Sequence, residues 1–450
     1  MGMKDVFCVI GAGRIGLPIS VTLAAAGEEV IVLEKDENKC KMINDSISPF
    51  YEDGMQDSLE DAVKEGLLRA TSDTSIISSC NVIISAIGTG VSEEGTPEID
   101  GIMSLVDLLS PHLKIGDTLI LKTTLPIGTT RKIATELSTA SKLELDEELM
   151  VAFCPERIVE GKAMLELSSL PKIVGGIGPK SRDRVGFIMS KFGGEIVLVS
   201  NSRTAEMCKL LDNAYRMTRF GFSADVASVA WRNNIDAFEA IEAANHDYGR
   251  NNIPLPSIGV SGYCLTKDPY YLDHGGSGLW SSREFPSAWI NARHAADWQI
   301  DEAIQRINEE SFEDIEDKRV VIAGVTYKED VDDIRMSHGV ELGERLIAQG
   351  FEVMWWDPVT SITEISGRDV ERSAGCLRGA DLLVLTVPHE NFTEWAKNPK
   401  ELKLMRGKTI FDGWGIFRHY DLPGFTYLGT GISRSKRIEF TGSISKEVLD

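Results

Sequence analysis

No apolar run in this chain approaches the roughly 20 residues that a helix needs to cross a bilayer, and the opening Met1–Cys8 is too short and too charged for a signal peptide. The seven cysteines, Cys8, Cys40, Cys80, Cys154, Cys208, Cys264 and Cys376, form no close pairs and none of the spacings of zinc ligands. That excludes a disulfide scaffold and a structural metal site, and it points to a reducing, cytoplasmic setting. Basic residues are also scarce: 47 Lys and Arg stand against 69 Asp and Glu, a net charge of −22. Such a field repels polyanions and anionic lipid surfaces, so neither nucleic acid nor membrane is expected as a partner. A small phosphorylated ligand stays open, because backbone amides and a few local cations act at short range while distant charge is screened.

What the chain does have is length and apolar content: 450 residues with 42% hydrophobic composition suffice for two or three domains with real cores. Val6–Ile10 reads as a buried strand, Gly11-Ala12-Gly13-Arg14-Ile15-Gly16 as a GxGxxG turn, and Leu17–Ala26 as the helix that follows. The glycines allow a tight turn and close backbone approach, so that the helix N-terminus can hold a pyrophosphate. A second strand, Glu29–Leu33, ends at Glu34, whose carboxylate suits ribose hydroxyls and repels a 2′-phosphate. NAD is therefore expected over NADP. A bare GxGxxG is more often an ordinary glycine turn, but strand, helix and acid together favour the dinucleotide. Strands at Val82–Ile87, ending near Thr89, and at Thr118–Lys122, ending at Thr123-Thr124, continue the alternation, and their C-terminal ends should line the cofactor crevice.

A second α/β unit begins at Val320–Val325, with a helix over Val340–Gln349 and strands at Glu352–Trp356, Asp381–Val387 and Lys408–Phe411. Its turn lacks a full GxGxxG and suits a different nucleotide. Between the two units, Ser202–Asn233 has almost no Pro or Gly and carries apolar residues at helical spacing, which predicts one long helix with a face for a partner subunit. A homodimer is expected. The acidic stretch Glu309–Asp317 reads as a linker. The expected fold class is thus α/β: two Rossmann-like parallel-sheet domains, residues 1–200 and 311–450, joined by a central helical domain, 201–310, with a long helix. That central domain contains Cys264, in Gly259-Val260-Ser261-Gly262-Tyr263-Cys264-Leu265-Thr266-Lys267-Asp268. A lone cysteine is more often a packing residue, the reading for Cys154 and Cys208, but a thiol beside Lys267 and Asp268 can become a nucleophilic thiolate. In a chain that binds NAD, it could hold an aldehyde as a thiohemiacetal for a second oxidation. Trp355 and Trp356 are expected to divide between core and surface.

These segments, in order, resemble the UDP-sugar 6-dehydrogenase family over nearly the whole chain. The resemblance rests on the N-terminal glycine turn, Lys122-Thr123-Thr124-Leu125-Pro126-Ile127-Gly128-Thr129-Thr130, Cys154-Pro155-Glu156-Arg157, Lys209 with Asn213, the Cys264 segment, and Gly324-Val325-Thr326-Tyr327-Lys328 with Asp333 and Arg335. It implies NAD as cofactor, a UDP-sugar bound by the C-terminal domain, and a role in polysaccharide biosynthesis. By the same resemblance Cys264 is the nucleophile, Lys209 a proton-transfer or oxyanion-stabilising group and Asn213 a holder of the C6 oxygen. Glu160 activates the hydrolytic water, Asp268 orders a water or supports the thiolate, and Thr124 lies near the nicotinamide. Gly11, Gly13, Arg14, Ile15, Gly16, Glu34, Thr89, Thr124 and Arg335 face the cofactor. Glu156, Arg157, Ile158, Lys209, Asn213, Arg216, Tyr327 and Lys328 face the substrate, and Arg250 reaches the neighbouring subunit's substrate.

Arg157 and Arg216 resemble the branch acting on UDP-N-acetylhexosamines, UDP-N-acetylmannosamine above all, whereas Lys267-Asp268 is closer to the UDP-glucose branch. Two departures stand out. The nucleophile segment has Ser261, Tyr263 and Thr266 where the N-acetylhexosamine branch usually reads Gly-Gly-His-Cys-Ile-Pro, and Asp412-Gly413-Trp414 replaces the family's Asp-Gly-Arg, with Arg418 a candidate substitute for the missing charge. The expected activity is the four-electron oxidation of a UDP-N-acetylhexosamine to its uronic acid. UDP-glucose oxidation, a catalytically inactive nucleotide-sugar-binding protein and a one-step dehydrogenase that needs no cysteine are the alternatives.

Overall fold

The computed structural model describes residues 4–92, 94–275, 286–311 and 318–432. The chain divides into two compact units, Met1–Asn213 with Lys267–Arg283, and Ala214–Thr266 with Glu284–Asp450.

In the first unit the strands are β1 (Val6–Ile10), β2 (Glu29–Leu33), β3 (Leu68–Thr71), β4 (Val82–Ser85), β7 (Asp117–Leu121), β8 (Leu149–Phe153), β9 (Lys172–Gly176) and β10 (Ile196–Leu198), with a small hairpin of β5 (Gly90–Val91) and β6 (Pro97–Glu98) set apart. They form one sheet in the order β10-β9-β8-β7-β4-β1-β2-β3. All ladders in it are parallel except β8–β9. A parallel sheet needs helices on both faces, so its strands read as continuous apolar runs whose alternate residues enter opposite cores. In β1, Phe7 and Val9 join one buried cluster with Leu17 and Ile19, while Cys8 and Ile10 join the other with Ile83 and Leu119. The switch in strand order beside β1 places the turn after β1 at a crevice between diverging connections. The ladder of β4 stops at Ser85, short of the expected Ile87, because Ile87 turns out of it and its carbonyl accepts the Thr123 hydroxyl at 2.5 Å.

The second unit carries β11 (Arg319–Ala323), β12 (Glu352–Trp356), β13 (Glu364–Ile365), β14 (Arg368–Glu371), β15 (Leu382–Leu385), β16 (Thr409–Asp412) and β17 (Thr426–Gly429), in the order β13-β14-β12-β11-β15-β16-β17. Again β11 is central, and Val320 and Ile322 face one core while Val321 and Ala323 face another. Trp355 and Trp356 take opposite faces of β12 and both are buried, which corrects the division between core and surface. The strand is covered on both sides at its C-terminal end, so these two consecutive side chains are both enclosed. Helix Ala288–Ser311 sends Ile300, Ala303, Ile304 and Ile307 into the same core as Val320 and Leu382. Residues 309–311 of the expected acidic linker complete this helix, and 312–317 lie outside the described residues.

The predicted long helix is present as Ser202–Arg232, 31 residues. Its Gly221 meets helix Ala288–Ser311, where a Cβ would stand 2.4 Å from Ala292. Among the described residues no helix is long and apolar enough to cross a membrane.

Candidate active site

The turn after β1 has the geometry that a dinucleotide needs. Gly11 holds φ at +98°, and a Cβ on Gly16 would lie 1.9 Å from the Gly11 carbonyl oxygen, so helix Gly16–Ala25 can start this close only without a side chain there. At Gly13 the corresponding space is open. Ile15 precedes the helix and no side chain caps its first N–H groups, which leaves the helix start suited to a pyrophosphate. Glu34, at the end of β2, accepts the Ala12 N–H at 2.7 Å and the Asp36 N–H at 3.1 Å. These residues fit NAD. Arg14 pairs with Glu160 at 2.5 Å and lies 5.2 Å over the Phe50 ring. The predicted water-activating carboxylate is therefore engaged beside the cofactor turn.

At the ends of β7 and β8 a second group is buried. Lys122, Cys154 and Glu156 are all less than 10% exposed, with Lys122 Nζ 2.9 Å from Glu156 Oε2 and 3.8 Å from Cys154 Sγ. Glu156 Oε1 accepts the N–H groups of Arg157 at 2.8 Å and Ile158 at 3.2 Å. Burial pushes the Glu156 carboxyl up, but the Lys122 charge and these donors outweigh it and hold the group below its ordinary value. Burial pushes the Cys154 thiol up, in keeping with a packing role. Arg157 donates to the Pro171 carbonyl at 2.8 Å and lies 3.7 Å from Asp212. Lys122 was no candidate from the sequence. A lysine directly after the apolar run Leu119-Ile120-Leu121 was the signal.

Four of the predicted catalytic residues, Lys209, Asn213, Cys264 and Asp268, sit on two helices, while Glu160 and Thr124 lie in loops. Lys209 and Asn213 are one turn apart on Ser202–Arg232, the lysine half-buried and the asparagine buried. Asn213 Nδ2 donates to Asp268 Oδ2 at 2.6 Å, and Asp268 is fully buried. Asp268 belongs to helix Tyr263–Gly275, on which Cys264 is the second residue and exposed, one turn earlier on the same face. The first turn of a helix favours an anion, which suits a thiolate nucleophile. Lys267 is buried, with its Nζ 3.6 Å from Asp268 Oδ1 and donating to Thr89 Oγ1 at 3.2 Å, and Thr89 in turn donates to the Thr124 carbonyl at 2.9 Å. Lys267 thereby joins two residues predicted to face the cofactor. Its ammonium also lies 4.6 Å from the Tyr271 ring, whose hydroxyl donates to Gly90 O at 2.6 Å.

The remaining predicted residues lie in the second unit. Arg216 is exposed on the long helix and Arg250 is exposed over the Tyr248 ring at 5.0 Å. Tyr327 and Lys328, half-buried, follow β11 at the C-terminal edge of its sheet, and the Tyr327 N–H donates to Asp333 O at 2.9 Å. Arg335 has a 64% exposed side chain and forks onto Asp333. Trp414 packs beside β16 with its indole N–H donating to the Thr386 carbonyl at 2.7 Å. Arg418, the candidate substitute for the missing charge, pairs with Glu242 and lies 4.9 Å from the Phe238 ring.

Three domain models match in order: residues 5–192 to the NAD binding domain of the UDP-glucose/GDP-mannose dehydrogenase family, 203–285 to its central domain and 321–419 to its UDP binding domain. The chain belongs to this family. As a UDP-glucose/GDP-mannose dehydrogenase family member it is an NAD-dependent oxidoreductase acting on a UDP-sugar. It is similar to the UDP-N-acetyl-D-mannosamine dehydrogenase of Methanococcus aeolicus, 29% identical over 434 residues that cover 95% of each chain. It is similar also to an NDP-N-acetyl-D-galactosaminuronic acid dehydrogenase of Ralstonia solanacearum, 27% identical over 394 residues, 85% of this chain and 90% of that one. Among solved structures, UDP-D-ManNAc dehydrogenase from Pyrococcus horikoshii superposes with a TM-score of 0.84 at 28% identity, covering 95% of this chain and 99% of the other.

Proposed function

We propose that this chain oxidises the C6 alcohol of a UDP-2-acetamido hexose, UDP-N-acetylmannosamine foremost, to the uronic acid through a covalent Cys264 thioester. The observation that carries the reading is the buried Asn213–Asp268 bond at 2.6 Å, which ties the helix of Lys209 to the helix that begins at the thiol. NAD supplies, when bound, the acceptor for one hydride in each of two steps. Lys209 takes up or stabilises the proton and charge leaving the C6 hydroxyl, and Asn213 orients that oxygen. The Cys264 thiolate adds to the resulting aldehyde to give a thiohemiacetal, whose oxidation leaves a thioester. Water then cleaves the thioester to acid and thiol, with Glu160, Thr124 and Asp268 as the candidate groups that order it. Gly11, Gly13, Arg14, Ile15, Gly16, Glu34, Thr89 and Arg335 are the proposed cofactor residues. Glu156, Arg157, Ile158, Arg216, Tyr327 and Lys328 are those proposed for the substrate, and Arg250 for the neighbouring subunit's substrate.

Two arguments support a 2-acetamido sugar over glucose. The three similar proteins above are all named for N-acetylated sugars. Lys267, whose likeness to the UDP-glucose branch was the counterargument, donates to Thr89 and pairs with Asp268 at 3.6 Å, contacts that suit support of the Cys264 helix better than recognition of a sugar substituent. A panel of UDP-sugars with NAD tests the whole reading. Two NADH should form per acid, fastest with the acetamido sugars, and Cys264→Ser should lose acid production. One NADH with release of free aldehyde would sink the thioester, and faster turnover of UDP-glucose would decide for that alternative.

A further inference from the structure

Cys264 stands at the exposed start of its helix, where a nucleophile gains access at the cost of definition. The loop before it, Gly259–Gly262, is held at four points by the segment Tyr327–His338. The Ser261 hydroxyl oxygen accepts the backbone N–H of His338 at 2.9 Å, and the Gly262 N–H donates to the Met336 carbonyl at 3.3 Å. At Gly259, with φ at +134°, a Cβ would fall 2.5 Å from the His338 ring, and at Gly262, with φ at +91°, 2.6 Å from the Tyr327 ring. Both glycines therefore let the loop lie flat against two aromatic side chains. Met336 itself takes a left-handed φ of +54°, which a methionine adopts only when its surroundings impose it.

His338 is 4% exposed, and its Nδ1 has no hydrogen-bond partner among the described residues. An apolar side chain of similar size would avoid that desolvation, so stability alone gives no reason for a histidine here. Burial, helped by the nearby Arg293 charge, lowers the ring's pKa to about 3, so the imidazole packs as a neutral plate at neutral pH.

We propose that Ser261 and His338 are positioning residues for Cys264. They fix the nucleophile loop to the segment that carries Tyr327 and Lys328, and thereby aim the thiol without touching substrate. The inference rests on the nucleophile reading above, but its test does not need turnover. In the full-length chain without ligand, the rate at which iodoacetamide alkylates Cys264 is followed by peptide mass spectrometry for the unmutated protein, Ser261→Ala, Ser261→Thr and His338→Ala, beside kcat, KM and the thermal midpoint.

Loss of the tie in Ser261→Ala should change the Cys264 alkylation rate several-fold and lower kcat about tenfold, with KM within about twofold. Ser261→Thr, which keeps the hydroxyl, should restore both. Should His338→Ala fail to fold, the Ser261 pair still decides. An unchanged alkylation rate in Ser261→Ala would overturn the proposal, as would a fall in kcat matched by a fall in thermal midpoint that Ser261→Thr does not rescue. A chain that oxidised no nucleotide sugar would end the nucleophile reading alone, because the alkylation comparison still measures the aim of the thiol.

Discussion

Glu34 and Asp357 close the second strand of their respective sheets, and each accepts the N–H of the residue after a strand-terminal glycine, Ala12 at 2.7 Å and Val325 at 2.8 Å. Their surroundings separate them. Asp357 is fully buried and takes five donors, from Val325, Thr326, Val359, Thr360 and His389, which saturates the roughly four lone-pair sites of a carboxylate. Glu34 has two among the described residues and keeps capacity for ribose hydroxyls. The second acid has become a structural pin. Because His389 Nδ1 accepts the Asp330 N–H at 3.0 Å, the ring proton sits on Nε2 and faces Asp357 at 3.1 Å. Burial raises the Asp357 pKa, but the His389 bond and the backbone donors outweigh it and leave the folded value below the ordinary one. Its contribution to stability is therefore complete above the unfolded value of about 3.9 and is lost as pH falls through the lower folded value. Asp357→Asn should destabilise the second unit by ~3 kcal/mol at neutral pH. Denaturant unfolding across pH should show the gap to the unmutated chain narrowing below about pH 4. A gap independent of pH would mean that the carboxylate charge contributes nothing.

The long helix, at 1.5 Å per residue, extends for about 46 Å and owes its course to packing as much as to propensity. Gly221 shows which effect wins. In a free helix, replacing glycine by alanine would stabilise by roughly 1 kcal/mol. Here the added methyl would stand 2.4 Å from the Ala292 backbone, and overpacking of that kind costs about 1–3 kcal/mol. Gly221→Ala should thus lower the thermal midpoint, as calorimetry would record, and a rise would show that the two helices separate easily. Near its start the same helix supplies Glu206, buried, which accepts the N–H groups of Gly128 at 2.6 Å and Thr130 at 2.7 Å and so caps helix Thr129–Ser141 from a distant part of the chain. Cap and capped helix are more than seventy residues apart, beyond any local spacing rule.

At the scale of the whole molecule, one face of that helix leaves large apolar side chains uncovered. Met207, Leu211, Tyr215, Phe222 and Val229 are all more than 40% exposed and recur at helical spacing, forming an apolar stripe along it. A homodimer joined along this stripe is the assembly we propose. Phe222→Asp would place a charge in the joint, and sedimentation should then show monomer where the unmutated chain sediments as a dimer. A monomeric unmutated chain would exclude the assembly outright.

The amino-acid sequence by itself determined the two α/β units, the NAD-type glycine turn, the 31-residue helix to within a residue at its end and the place of Cys264, because each is written in local order: apolar runs, glycine spacing and an acid at a strand end. Only the tertiary structure decided which partner each buried charge takes. Lys122 went to Glu156, Asp268 to Asn213 as well as to its neighbour Lys267, and His389 to Asp357. It likewise put both Trp355 and Trp356 in the core and engaged Arg418 with Glu242. The reason is physical: secondary structure answers to neighbours a few residues away, whereas a buried charge must find its counter-group through space, and sequence distance carries no record of that choice.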